Sequence, residues 1–133
     1  MKNAANIKTI QMKPPKSSLY QGFSYAISGI VSTIKSELHF KIHVLAALLA
    51  VSAGIFLQIE THEWLWITLS IAIVMVAELL NTSIESLSNI VSPDYHPLIK
   101  KTKDAAAGAV LIAALFALIC GLIIFIPHLT EVF

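Results

Sequence analysis

Polar residues fall in helical register where an apolar chain should have few. Glu78, Thr82, Glu85 and Asn89 recur every three or four positions, so at about 100° per residue they share one narrow helix stripe, with Asn81 on its border. Glu78 stands among Val74, Met75, Val76, Leu79 and Leu80, where an unpaired carboxylate is costly and something must compensate it. Two readings stand: helix-to-helix glue, in which Glu78 and Asn81 hydrogen-bond a neighbour, or a functional carboxylate of the proton-relay kind. Glu85 and Glu37 lie at similar depth near the membrane boundary and could meet there. Two carboxylates suit magnesium, which prefers oxygen ligands and completes its shell with water and substrate phosphates. Taken singly, each reads more readily as a solvated interfacial charge. Across a short loop stand Lys103 and Asp104, where a lysine could neutralise phosphate charge, whereas Lys100 and Lys101 can be read as topological anchors alone.

Composition narrows the setting for these groups. The chain has 133 residues, 56% hydrophobic and 13% charged, against roughly a quarter charged in an ordinary soluble domain. With a mean hydropathy of +0.78, the bilayer is the expected solvent, and three spans of about 20 residues would fit. Nine lysines and eight acids nearly cancel, with no arginine, which argues against nucleic acid as a partner. Cys120 is the only cysteine, so an intrachain disulfide or a cysteine-based zinc site is excluded. His39, His43, His62 and His128 are scattered and read as interfacial, and no HExxH, P-loop, protein-kinase or Gly-rich nucleotide motif occurs. Any nucleotide chemistry needs another architecture.

The elements follow from the apolar pattern. Residues 1–18 hold Lys2, Lys8, Lys13, Lys16 and the Pro14-Pro15 pair and read as a basic flexible tail without the apolar stretch of a secretory signal. Ser18 with Gln21 has the form of a capping box. From there Leu19, Phe23, Ile27, Ile30, Ile34 and Leu38 recur at helical spacing, opposite Ser24, Ser28, Ser32 and Lys35. This predicts an amphipathic surface helix over about 19–40, lying in the headgroup plane or packed on its own protein. Apolar runs predict spans over about 43–59, 64–91 and 98–127, the second emerging from lipid amphipathic and the third rich in small residues. Trp64 and Trp66 suit an interfacial anchor, and Pro127 marks the expected end of the third span. The fold class is all-α integral membrane, a surface helix plus three transmembrane helices forming a single domain over 19–133.

Every lysine lies in residues 1–41 or 100–103, while the turn at 60–63 and the segment after Pro127 carry acids only. The positive-inside rule then puts the N-terminus and the loop between the second and third spans in the cytoplasm and the C-terminus outside. Most ionisable groups thereby gather at the cytoplasmic boundary, where soluble nucleotides are available.

The segments so isolated resemble the prokaryotic diacylglycerol kinase family, which includes the undecaprenol kinases. The resemblance spans nearly everything after the tail and rests on GFSYAISGI, ELHFKIH at Glu37 to His43, AELLNTSIE in the second span, and PDYHPLIKKTKDAAAGAVL. It implies a multi-pass lipid kinase of the bacterial inner (plasma) membrane. It further implies a homotrimer whose active sites are shared between neighbouring subunits, using ATP and Mg2+ to phosphorylate a membrane lipid. Carried over by position, Glu78 would take the proton from the lipid hydroxyl, which can reach it without leaving the bilayer, and Asn81 would help position the reactants. Glu37 and Glu85 would hold the metal that bridges the ATP phosphates, and Lys103 would stabilise their charge. Tyr25, Asp94, Tyr95, His96 and Asp104 match positions that contact the nucleotide. Three residues depart from the family pattern: Asn89 where an aspartate is usual, Lys41 for arginine and Ser36 for asparagine.

The resemblance leaves two acceptors. Diacylglycerol would give phosphatidic acid, and undecaprenol would give its monophosphate for envelope-carrier recycling; the HPLIKKTKDAAAGAVL block looks more like the undecaprenol branch. Residue chemistry alone also allows a small proton-coupled transporter with Glu78 as relay, or a structural assembly protein in which Glu78 and Asn81 are only glue. The set Glu37, Glu85, Lys103 and Asp104 favours the kinase over both.

Overall fold

The structure, a computed structural model, describes residues 18–132. The expected basic tail lies outside this range apart from Ser18. The described chain is all helical: α1 (Leu19–Ser36), α2 (Leu38–Phe56), α3 (Thr61–Val91) and α4 (Pro97–Val132). α2, α3 and α4 are each long and apolar enough to cross a membrane. At about 1.5 Å per residue the 31 residues of α3 extend about 46 Å, well beyond a hydrocarbon core of about 30 Å. A span that long must carry part of its length out of lipid.

The helices start and stop for local reasons. Ser18 caps α1, its N–H donating to Gln21 Oε1 at 3.4 Å, the backbone half of a capping box. Periodicity predicts that this helix runs to about residue 40, but the backbone opens at Glu37 (φ −101°, ψ 119°) and α2 begins at Leu38. The break lets the chain turn from the surface helix into the first span. α2 ends where Gln58 takes a positive φ of 51°. α3 begins three residues before its apolar run because Glu63 Oε2 accepts the Glu60 N–H at 2.8 Å. Pro127 does not end α4. The helix continues to Val132, with Thr130 Oγ1 donating to the Pro127 carbonyl at 2.7 Å and His128 Nδ1 2.8 Å from the Ile124 carbonyl.

α3 and α4 form the principal packed pair, an antiparallel hairpin closed by the loop 92–96. Its buried stripe on α3 is Ile67, Ser70, Val74 and Glu78, at the three- and four-residue spacing of one helix face, with Ser88 buried ten residues further on. α4 answers with buried Ala106 and Ala113, whose small side chains let the backbones approach. At the end away from the loop, Ile59, Ile67 and Ile124 form the core with Trp64 and Phe125 packed against them. Trp64 therefore turns inward, over Gly54, whereas Trp66 is exposed and alone keeps the orientation of an interfacial anchor.

α1 leaves most of its apolar face uncovered by its own chain. Leu19 is 81% and Phe23 64% exposed, and only Thr33, near its C-terminus, is buried. Of the two settings considered for this helix, packing on its own chain is thus absent over most of its length.

Candidate functional site

The polar stripe of α3 begins inside the span and runs toward the α3–α4 loop. Glu78 is 3% exposed, so the helix turns its carboxylate-bearing face into the protein and away from surrounding lipid. Glu85 lies two turns further on, about 10 Å along the axis on the same face, and is half-buried. Asn81, on the border of the stripe, has its Oδ1 sealed from solvent with no hydrogen-bond partner among the described residues. An amide oxygen left in that state carries a desolvation cost that a donor would remove.

The loop end of the hairpin supplies the cations. Lys103 on α4 donates from Nζ to Asn89 Oδ1 on α3 at 3.3 Å, so the two helices place a half-buried lysine beside the end of the polar stripe. Lys100 and Asp104 pair at 2.6 Å, both well exposed; such a pair adds little stability but orients the Asp104 carboxylate at the same surface. His96 Nδ1 accepts the Leu98 N–H at 3.2 Å, capping the start of α4 in the manner of a side-chain acceptor. Tyr95 and Asp94 are exposed in the loop.

Glu37 stands at the break between α1 and α2, half-buried, accepting a hydrogen bond from Ser36 Oγ at 3.0 Å. Neither Glu37, Glu78 nor Glu85 has a cationic side chain within ion-pairing distance among the described residues. The described residues also hold no cluster of three or more His, Cys, Asp or Glu able to cage a metal. Glu37 and Glu85 each offer a single carboxylate, the kind of ligand of which magnesium takes one or two, with its remaining ligands from water and phosphate. Tyr25 is exposed on α1.

Two features of this region escape the apolar pattern. A groove of about 450 Å³ runs between α2, α3 and α4, with His43 and Met75 toward its loop end and Phe125 and Leu129 at the other. Ala46, Ala50 and Gly54 recur every four residues on α2, a small-residue stripe that signals such a recess, although the sequence offers nothing to say what lies across from it. Ser70 lines the groove, its hydroxyl buried and without a partner among the described residues.

Comparison with known proteins places the chain in a family. The model of the prokaryotic diacylglycerol kinase family matches residues 24–125. The chain is 39% identical over 110 residues to an undecaprenol kinase of Bacillus subtilis, covering 83% of this chain and 89% of that one. It is 36% identical over 115 residues to a diacylglycerol kinase of Synechocystis, covering 86% of this chain and 66% of the relative. With a diacylglycerol kinase of Escherichia coli K12 it shares 31% identity over 104 residues, 78% of this chain and 85% of the relative.

Proposed function

Since the chain belongs to the prokaryotic diacylglycerol kinase family and is a membrane lipid kinase, we propose that it transfers the γ-phosphoryl group of ATP to the hydroxyl of undecaprenol. The observation that carries this reading is the α3 stripe itself. Glu78 is buried within the span and shares a helix face with Glu85, and that face leads to a loop end where Lys103 crosses from α4. A lipid hydroxyl meets the first group from the bilayer and a soluble nucleotide meets the last from the aqueous side.

In this mechanism Glu78 accepts the proton of the lipid hydroxyl as its oxygen attacks the γ-phosphorus in line and ADP leaves with the bridging oxygen, and Asn81 turns its otherwise unpaired amide oxygen toward the reactants. Lys103 lies against the phosphates and stabilises the charge they carry in the transition state. Tyr25, Asp94, Tyr95, His96 and Asp104 would surround the nucleotide, and Glu37 and Glu85 would hold magnesium. When bound, that ion would supply positive charge to offset that of the phosphates. No covalent intermediate on the protein is required; positioning and electrostatics suffice.

The lysines flanking the α1–α2 break and the α3–α4 loop support a cytoplasmic placement of both at the inner (plasma) membrane, with the C-terminus outside. A homotrimer with sites shared between neighbours would cover the apolar surface that α1 leaves exposed and bring Tyr25 of one subunit to the loop of another. Family membership supports neither the proton-coupled transporter nor the purely structural alternative. Undecaprenol is preferred over diacylglycerol on the HPLIKKTKDAAAGAVL block and on the extent of the Bacillus subtilis match. Supplying both lipids to the purified protein in one mixed micelle with labelled ATP and magnesium tests the preference. Undecaprenyl phosphate should dominate the labelled product; predominance of phosphatidic acid would reverse the assignment.

A further inference from the structure

Lys103 is the cation that the proposed transfer sets against the phosphates, and its neighbours decide how much of its charge is available there. Nζ donates to Asn89 Oδ1 across the hairpin at 3.3 Å. No carboxylate among the described residues lies within ion-pairing distance of it. Asp104, the next residue, is engaged by Lys100 at 2.6 Å. Glu85 sits one turn before Asn89 on the same face of α3, half-buried, and Asp94 is exposed in the loop; neither forms an ion pair among the described residues. Lys103 is thus fastened by a neutral group in a region where acids are at hand.

The distinction matters because lysine carries a compact point charge on a flexible four-carbon stem. A hydrogen bond from the ammonium to an amide oxygen fixes the direction of that stem at an acceptor with no formal charge of its own. A carboxylate in the same place would hold the ammonium more strongly, and an incoming phosphate would then meet an ion pair in place of a bare cation. Asn89 and Lys103 close the polar stripe one turn beyond Glu85, at the end proposed to meet the nucleotide.

We infer that Asn89 is a positioning residue for the nucleotide's phosphates: its neutral amide aims the Lys103 ammonium from α4 at the end of the stripe and leaves the full positive charge for phosphate. This role rests on the proposed placement of Lys103 against the phosphates and adds a residue that the placement does not name. It also gives the asparagine a physical meaning. Where the family pattern has an aspartate, this chain keeps the loop end of the hairpin more positive.

Equilibrium binding of labelled ATP to the full chain in detergent micelles with excess magnesium, repeated at rising salt, tests this alongside kcat and KM for ATP. Asn89→Asp keeps the acceptor and adds a charge. Its Kd and KM for ATP should rise about fivefold, the fold-change that an exposed ion pair can supply, and its Kd should depend less steeply on salt. Asn89→Leu removes the acceptor and adds no charge. Its kcat/KM for ATP should fall about threefold to fivefold, while the salt dependence of binding stays that of wild type. Added to Lys103→Met, Asn89→Leu should bring no further loss, because it acts through that lysine. Unfolding midpoints of both Asn89 variants should match wild type, since Asn89 is exposed. Unaltered affinity and salt dependence in Asn89→Asp, or an equal loss from Asn89→Leu with and without Lys103, would overturn the role of Asn89 and leave the kinase reading standing. A Lys103→Met protein that binds and uses ATP like wild type would overturn the placement of Lys103 and the role of Asn89 with it.

Discussion

Replacing Gly54 by alanine probes how closely α2 approaches the first turn of α3. A Cβ there would lie 2.8 Å from Trp64 Cη2 and 3.0 Å from Trp64 Cζ2 and Ile59 Cδ1, where carbon atoms in comfortable contact stand about 3.5–4.0 Å apart. Neither neighbour can yield freely, because Ile59 is buried in the Ile67 and Ile124 cluster and Trp64 packs against the same cluster. Overpacking of this kind costs about 1–3 kcal/mol, and exchanging glycine for alanine inside a helix returns about 1 kcal/mol. The net expectation is a loss of about 1 kcal/mol, roughly a fivefold fall in the folded-to-unfolded ratio. Gly121 on α4 supplies the control. Its added Cβ would meet only Phe125 Cδ2 at 3.9 Å, an ordinary contact, so Gly121→Ala should gain up to about 1 kcal/mol. Thermal unfolding in one detergent, followed by tryptophan fluorescence, reads both variants, and Trp64 should report its displacement in the folded emission of Gly54→Ala. Equal or greater stability of Gly54→Ala, with unchanged emission, would refute the close approach.

Further expectations follow from single residues. Gln58 holds a φ of 51° at the end of α2, a conformation that costs a residue with a Cβ about 1 kcal/mol, so Gln58→Gly should raise the unfolding midpoint by a corresponding amount. Lys103→Met removes the cation proposed to lie against the phosphates and should lower kcat/KM for ATP by about 10²–10³-fold. Its effect on stability should stay within about 0.5 kcal/mol, because the bond lost to Asn89 is exposed. Chelation of divalent cations should stop phosphoryl transfer, and added magnesium should restore it; transfer that persists in excess chelator would remove Glu37 and Glu85 from the proposed metal site.

The number and type of helices are legible in the sequence because each apolar run has to be covered by lipid or protein, and helices satisfy their own backbone there. Burial of Glu78 is legible for the same reason, from the cost of leaving a carboxylate in lipid. What periodicity reports is which residues share a face, and it is silent on what stands opposite. The inward turn of Trp64 over Gly54, the unpaired Ser70 hydroxyl and the Glu63–His128 contact all depend on neighbours distant in sequence. The break at Glu37 escaped the pattern because Leu38 keeps the apolar phase of α1 although the backbone has opened. Pro127 misleads in the opposite direction, since a helix end can absorb one missing N–H where side chains such as His128 and Thr130 bond back to its carbonyls.

The central claim is that Glu78 takes the proton of a lipid hydroxyl during phosphoryl transfer. Its most direct test measures labelled phosphate passing from ATP to lipid in wild type and Glu78→Gln, with assembly size and unfolding midpoint compared in the same micelles. Glu78→Gln should assemble and unfold like wild type while transfer falls by about 10²–10⁴-fold. Turnover retained in a folded Glu78→Gln protein would contradict the assignment.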